Sequence, residues 1–260
     1  MKRSRAAWLT VAILLLLVVM LVLLLPARWV APFVQSRLHG LGLEGVHGLV
    51  WNGGARELRG LDGHPLGHLQ WRLSRALLWG RLDLQLRLDG PGLTASGHLR
   101  RDGDGRAIWT DVALRADPAV WAPRFDSPLG TPRGTLTMEL RRAVLQANWP
   151  VELEGQVHWH GASVLTRRQT VSLGDFRMDI DGTNGVLTGR LHDQNNGPLR
   201  AEGHWQASPL GWRLDLLLQP RTADPALRHW LARLGRPDAD GTVRLHRRGG
   251  LAAATPEAAP

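Results

Sequence analysis

The stretch Leu82-Asp83-Leu84-Gln85-Leu86-Arg87-Leu88-Asp89-Gly90 decides the fold. Leucine stands at every second position, separated by Asp83, Gln85 and Arg87. That is the period with which side chains leave opposite faces of a β-strand. One face is therefore read as buried and the other as solvated, with the turn supplied by Asp89, Gly90, Pro91 and Gly92. Outward from this strand, similar segments return at Leu136 to Leu140, Val151 to Val157, Phe176 to Ile180 and Trp212 to Leu218. Turn signals separate them at Asp102 to Gly105, at Asp181 to Gly185 and at Asn195, Asn196 and Gly197. Short strands punctuated in this way predict a mainly β chain of antiparallel hairpins.

Few segments carry helical period. Ala226 to Leu234 reads as a helix through Leu227, Trp230, Leu231 and Leu234, started by Asp224 as N-cap and Pro225 in the first turn and stopped by Gly235. Ala27 to Leu38, with Trp29, Val30, Phe33, Val34 and Leu38, reads as a short helix that Pro32 interrupts early. Before it, Ala6 to Leu25 is a run of twenty residues without a charge, in which Thr10 is the one plainly polar side chain. At about 1.5 Å per residue it reaches roughly the 30 Å of a bilayer's hydrocarbon core. A helix there satisfies its own backbone where no water can.

Lys2, Arg3 and Arg5 precede the run, and Arg28 is the one basic residue close behind it. The positive-inside bias therefore places the N-terminus in the cytoplasm and the remainder across the membrane. The run is longer than the apolar region of a signal peptide and is followed by Pro26, Ala27, Arg28 and Trp29 without a small-x-small cleavage site. It reads as a retained signal anchor, with Trp29 at the interface.

The chain also resembles itself. Gly48, Val50, Trp51 and Gly53 return as Gly155, Val157, Trp159 and Gly161, and Leu66, Gly67 and Leu69 return as Leu173, Gly174 and Phe176. Further on, Asp117, Pro118 and Ala119 return as Asp224, Pro225 and Ala226. Leu129, Gly130, Pro132, Gly134 and Thr135 return as Leu234, Gly235, Pro237, Gly241 and Thr242. The order is kept and the offset stays close to 107 residues. Two copies of one β unit follow, expected to stack into an elongated, curved sheet. By this mapping Pro118 to Phe125 is a helical turn equivalent to the later helix, Trp51 and Trp159 occupy equivalent strand positions, and Gly53 and Gly161 lie in matching turns.

Composition removes several functions. The chain has 260 residues, no cysteine and a formal charge of +9. Disulfides, cysteine-ligated zinc and thiol chemistry are thereby excluded. The arginines are scattered, no nucleic-acid module appears and Lys2 is the sole lysine, so the charge does not indicate nucleic acid. No nucleophile elbow, zincin motif or phosphate loop is present, and catalytic, cofactor and metal residues are read as none. Asp102 and Asp104 resemble a calcium loop but lack the following Glu. His158 and His160 share one face of a strand without a third ligand, so exposed strand histidines are the simpler reading. Among the twelve tryptophans, Trp51, Trp71, Trp79, Trp159 and Trp212 are read first as core packing.

Taken together, the anchor with Pro26 and Ala27, the segment Gly48 to Gly53 and the stretch from Trp71 to Leu82 resemble the type II secretion system protein N family. Gly155 to Gly161, Leu231 to Gly241 and Gly249 continue the resemblance. It implies a bitopic inner-membrane protein, an accessory part of the machine that moves folded proteins out of the periplasm, with no catalytic residues. The expected organisation is a cytoplasmic segment 1–5, a transmembrane helix 6–25, a juxtamembrane segment 26–45, periplasmic repeats 46–147 and 148–249, and a disordered tail 250–260. Expected partners are the inner membrane and other secretion components. The alternative is a membrane-anchored lipid-handling protein with an open apolar groove.

Overall fold

The alternating leucines of Leu82 to Gly90 do form a strand, with Leu88 buried on its packed side. It belongs to a computed structural model that describes residues 13–14, 16–17, 20–35, 41–60, 63–101, 105–120, 129–167 and 169–250. The described residues hold thirteen strands; within each of the runs of strands one to four and five to thirteen, neighbours in sequence pair antiparallel. Contacts divide the chain into two compact units, Met1–Pro91 and Gly92–Pro260.

The first unit carries α1 (Ala27–Gln35) and the strands β1 (Gly42–Gly48), β2 (Asn52–Arg59), β3 (Pro65–Leu73) and β4 (Leu82–Gly90). A 3-10 turn, Arg75–Trp79, joins the last two. Pro32 lies inside α1 without ending it. The loop between β1 and β2 grips what precedes α1: the Val50 N–H donates to the Leu25 carbonyl at 3.0 Å, and the buried Trp51 gives its indole N–H to the Val22 carbonyl at 2.9 Å.

The second unit runs β5 (Leu93–Arg101), β6 (Ala107–Ala116), β7 (Thr131–Gln146), β8 (Trp149–Leu165), β9 (Thr170–Thr183), β10 (Val186–Asp193), β11 (Leu199–Ser208), β12 (Gly211–Pro220), α2 (Pro225–Leu234) and β13 (Val243–Gly250). Two-residue hairpin loops at Ala147-Asn148 and Asn184-Gly185 have positive φ at both positions, the twist that suits right-handed strands. The segments read as short strands at Leu136 to Leu140 and Val151 to Val157 lie inside strands of 16 and 17 residues. Bulges near Gly134, Arg141 and Gly161 break the alternation while pairing continues, which is why the sequence period stops where the strand does not.

Among the described residues no helix is long and apolar enough to cross a membrane. The stretch Ala6 to Leu25 lies partly outside them; of its described residues, Leu16 and Leu21 are 67% and 57% exposed. Leu38, Asp102, Asp104, Trp121, Phe125 and 251–260 also lie outside the described residues.

Three expectations are corrected. Trp79 and Trp212 are not core: they are 77% and 48% exposed, the first on a 3-10 turn that leaves the sheet and the second beside the β11–β12 hairpin loop. Gly53 and Gly161 are not in matching turns. Gly53 lies in β2, hemmed by the His47 and Leu49 carbonyls, whereas Gly161 occupies an open bulge of β8 at φ +57°. Nor do Trp51 and Trp159 share one setting: Trp51 lies buried between strands, and Trp159 sits within β8, half-buried, with its indole N–H on the Arg133 carbonyl at 3.1 Å.

Candidate interaction surfaces

In the second unit the register sorts side chains by chemistry. Directly opposed residues of an antiparallel pair point to the same side. One face therefore carries the row Met138, Val157, Met178, Leu191, Gly203, Leu216 and Leu245, and beside it the row Leu140, Gly155, Ile180, Gly189, Trp205 and Leu214. The other face is ionic, with Arg177 on Asp179 at 2.9 Å, Arg200 on Glu202 at 2.7 Å and His246 on Asp215 at 2.7 Å. A single layer of sheet thus has one side that needs covering.

Covering comes from two sources. The Asp224 carboxylate accepts from the Ala226 N–H at 2.8 Å, and Pro225 opens α2, which lays Leu227, Trp230 and Leu231 on the sheet. Leu227 and Leu231 are fully buried, and their cluster takes in Val171, Leu173, Phe176, Leu199, Leu218 and Val243. Trp230 fastens the helix by donating to the Leu129 carbonyl at 3.1 Å. Beyond the helix, large side chains lie across glycines of the neighbouring strand: Trp205 over Gly189, Leu216 over Gly203 and Leu140 over Gly155, each filling the space a Cβ would need. The rest of this face stays half-buried.

A polar clamp closes the β10–β11 loop. Arg221 reaches Asp193 and the Asn195 side chain at 2.6 Å each and also donates to the Gly197 carbonyl at 3.2 Å. Burial alone would raise the Asp193 carboxyl pKa, but Arg221 and the N–H groups of Asn195 and Ala201 outweigh it and hold the group below the ordinary carboxylate value. Asp175 is lowered too, first by the Gly161 N–H and then by the Asn196 amide. This cluster unites the β10–β11 loop with the end of β12. It is invisible in the sequence, where Arg221 and Asp193 are 28 positions apart with no motif between them.

The two histidines singled out by spacing do come together: His158 and His160 stack with ring centroids 5.6 Å apart. They stand on the ionic face, His158 opposite Arg177. Burial, then Arg177 and His160, push the His158 pKa below the ordinary imidazole value. His160 lies 3.9 Å from Asp175. Among the described residues no three His, Asp or Glu side chains are grouped to hold a metal.

At the end of the second unit, β13 pairs on one side with β12. Its other edge, past a single bridge from Val243 to Pro237, has no partner strand among the described residues. Arg244 and His246 on this strand are engaged with Asp238 and Asp215, whereas Arg247 and Arg248 carry no ion pair among the described residues. A cationic strand edge of this kind can accept an extended acidic segment by backbone pairing.

Comparison with known proteins bears on the same chain. The family described as type II secretion system (T2SS), protein N matches residues 39–246. Type II secretion system protein N of Aeromonas hydrophila is 27% identical over 234 residues, covering 86% of this chain and 90% of the relative. The protein of the same description from Vibrio cholerae serotype O1 is 27% identical over 228 residues, covering 82% and 86%. No solved structure matches the chain.

Proposed function

The chain belongs to the type II secretion system protein N family, and on that premise we propose that it is an accessory secretion component that works by contact, without chemistry of its own. Residues 6–25 anchor it in the inner membrane, the N-terminus stays in the cytoplasm and the β units stand in the periplasm. Its partners are other components of the machine. The observation that carries this reading is the partial covering of the apolar face. The helix α2 buries Leu227 and Leu231 completely, and Trp205, Leu216 and Leu140 lie across Gly189, Gly203 and Gly155, so the apolar face is interrupted and the β13 edge is the surface offered to a partner.

The two units of sequence similarity are, on the same reading, copies of one fold element. Two sets of residues related by an offset of 107 support this. Gly67 meets Gly90 as Gly174 meets Gly197, each pair a close approach of two backbones, and the Ala119 N–H is capped by Asp117 at 2.9 Å as the Ala226 N–H is capped by Asp224.

A second reading, lipid handling, draws on Trp212 and Leu210, which leave 48% and 64% of their surface in solvent beside the β11–β12 loop. Photocrosslinkers at Arg247 and at Trp212 in living cells separate the two. A protein adduct from position 247 and no lipid adduct from 212 is expected; lipid from 212 with nothing from 247 favours the second.

A further inference from the structure

The first unit displays apolar side chains that its own packing does not use. In the turn Arg75–Trp79, Leu77, Leu78 and Trp79 are 40%, 52% and 77% exposed. The turn is firmly held. Ser74 Oγ accepts from the Ala76 N–H at 3.2 Å, the Ser74 N–H donates to the Asp83 carbonyl at 2.8 Å, and Gly80 closes the turn at φ +78°. Its apolar tip is thus fixed in an exposed position, at a cost in water that a covering surface would remove.

Its place in the unit indicates what that surface is. The Leu73 N–H, at the end of β3, donates to the Trp51 carbonyl at 2.9 Å, and the Trp71 indole donates to the Val50 carbonyl at 3.0 Å. Val50 and Trp51 are the same two residues that hold Leu25 and Val22. One loop therefore ties the exit of the apolar segment to the strand end from which the exposed turn begins. On the chain leaving that segment, α1 adds Trp29, 56% exposed. Arg28, Arg75 and Arg81 are all exposed and hold no ion pair among the described residues. Aromatic and aliphatic tips flanked by free arginines match the chemistry of a bilayer interface with anionic headgroups.

We propose that Leu77, Leu78 and Trp79 form a second membrane contact, a wedge entering the headgroup region of the leaflet from which residues 6–25 emerge, with Arg75 and Arg81 on lipid phosphates. This rests on the reading of residues 6–25 as the anchor. With two points of attachment, the first unit is held at a set angle to the bilayer and does not swivel about Leu25.

Because the chain has no cysteine, single replacements Trp79→Cys, Leu78→Cys, Leu21→Cys and Leu210→Cys each accept one environment-sensitive fluorophore. The full-length protein is reconstituted in nanodiscs of phosphatidylethanolamine and phosphatidylglycerol, with or without a lipid carrying a quencher near its headgroup. Labels at 78 and 79 should shift to the blue and be quenched about as strongly as the label at 21, while the label at 210 is not. Water-like, unquenched emission at 78 and 79 with quenching at 21 would overturn the wedge and leave the anchor. Blue-shifted but unquenched emission there would overturn it in favour of a protein cover. Quenching at 78 and 79 without quenching at 21 would remove the anchor and overturn the two-point attachment, leaving the turn as a lone membrane contact.

Discussion

Gly67 and Gly174 have φ of +128° and +111°, and a Cβ on either would strike the backbone of the strand or loop beside it. Alanine at each should therefore cost about 2–3 kcal/mol, a positive-φ penalty plus a clash that backbone cannot relieve. Gly161→Ala, at positive φ in open space, should cost about 1 kcal/mol. Urea denaturation of the purified protein measures all three, and equal losses would refute the distinction. The acidic side chains make a separate prediction. Asp193 and Asp175 are held below their ordinary pKa when folded, so their stabilisation is complete above the unfolded value of about 4 and is lost as pH falls through the folded value. Because His158 is likewise held below its ordinary value, the unfolding midpoint should slip as pH falls through about 6.5 and drop further below about pH 4. Arg221→Met, which leaves an Asp193 side chain only 8% exposed without its cation, should cost about 1–3 kcal/mol at neutral pH and blunt the acid dependence. The correspondence of Gly67 with Gly174 was legible in the sequence through their common offset, whereas their close approach to Gly90 and Gly197 was not. The Arg221 clamp was not, because loops meet there through tertiary folding and no spacing rule connects them.

At the scale of elements, α2 is the piece the sequence describes most fully. Asp224, Pro225 and Gly235 bound it as expected, since caps act locally and need no tertiary partner. The face it covers also follows from Leu227, Trp230 and Leu231. Strand lengths were harder to read: β7 and β8 continue through bulges that reset the side-chain period, so only their regular middles looked like strands. The 3-10 turn Arg75–Trp79 escapes a sequence reading for a different reason, that Trp79 looks like core when composition is the guide. Leu231→Ala should cost about 2–5 kcal/mol, the loss for a fully buried leucine with a cavity left behind, and Asp224→Ala about 1 kcal/mol. Near-UV circular dichroism of the tryptophans during thermal unfolding would register both, and a Leu231→Ala protein as stable as the parent would show that α2 does not hold the face.

For the whole molecule, family membership and the antiparallel β architecture rest on many residues spread over the chain, which is why the order of short Gly, Trp and Leu motifs was enough to suggest them. The proposed use of the β13 edge rests on the exposed side chains of one strand, and no repeated pattern announces it. The central claim is that this chain serves protein export by contact. Deleting its gene and measuring one exported protein inside and outside the cell tests that claim most directly. The account predicts folded, active protein retained in the periplasm and less of it outside, restored by the wild-type chain and by the His158→Ala, His160→Ala double variant, with outer-membrane permeability unchanged. Unimpaired export together with a leaky outer membrane and altered lipid balance would contradict it.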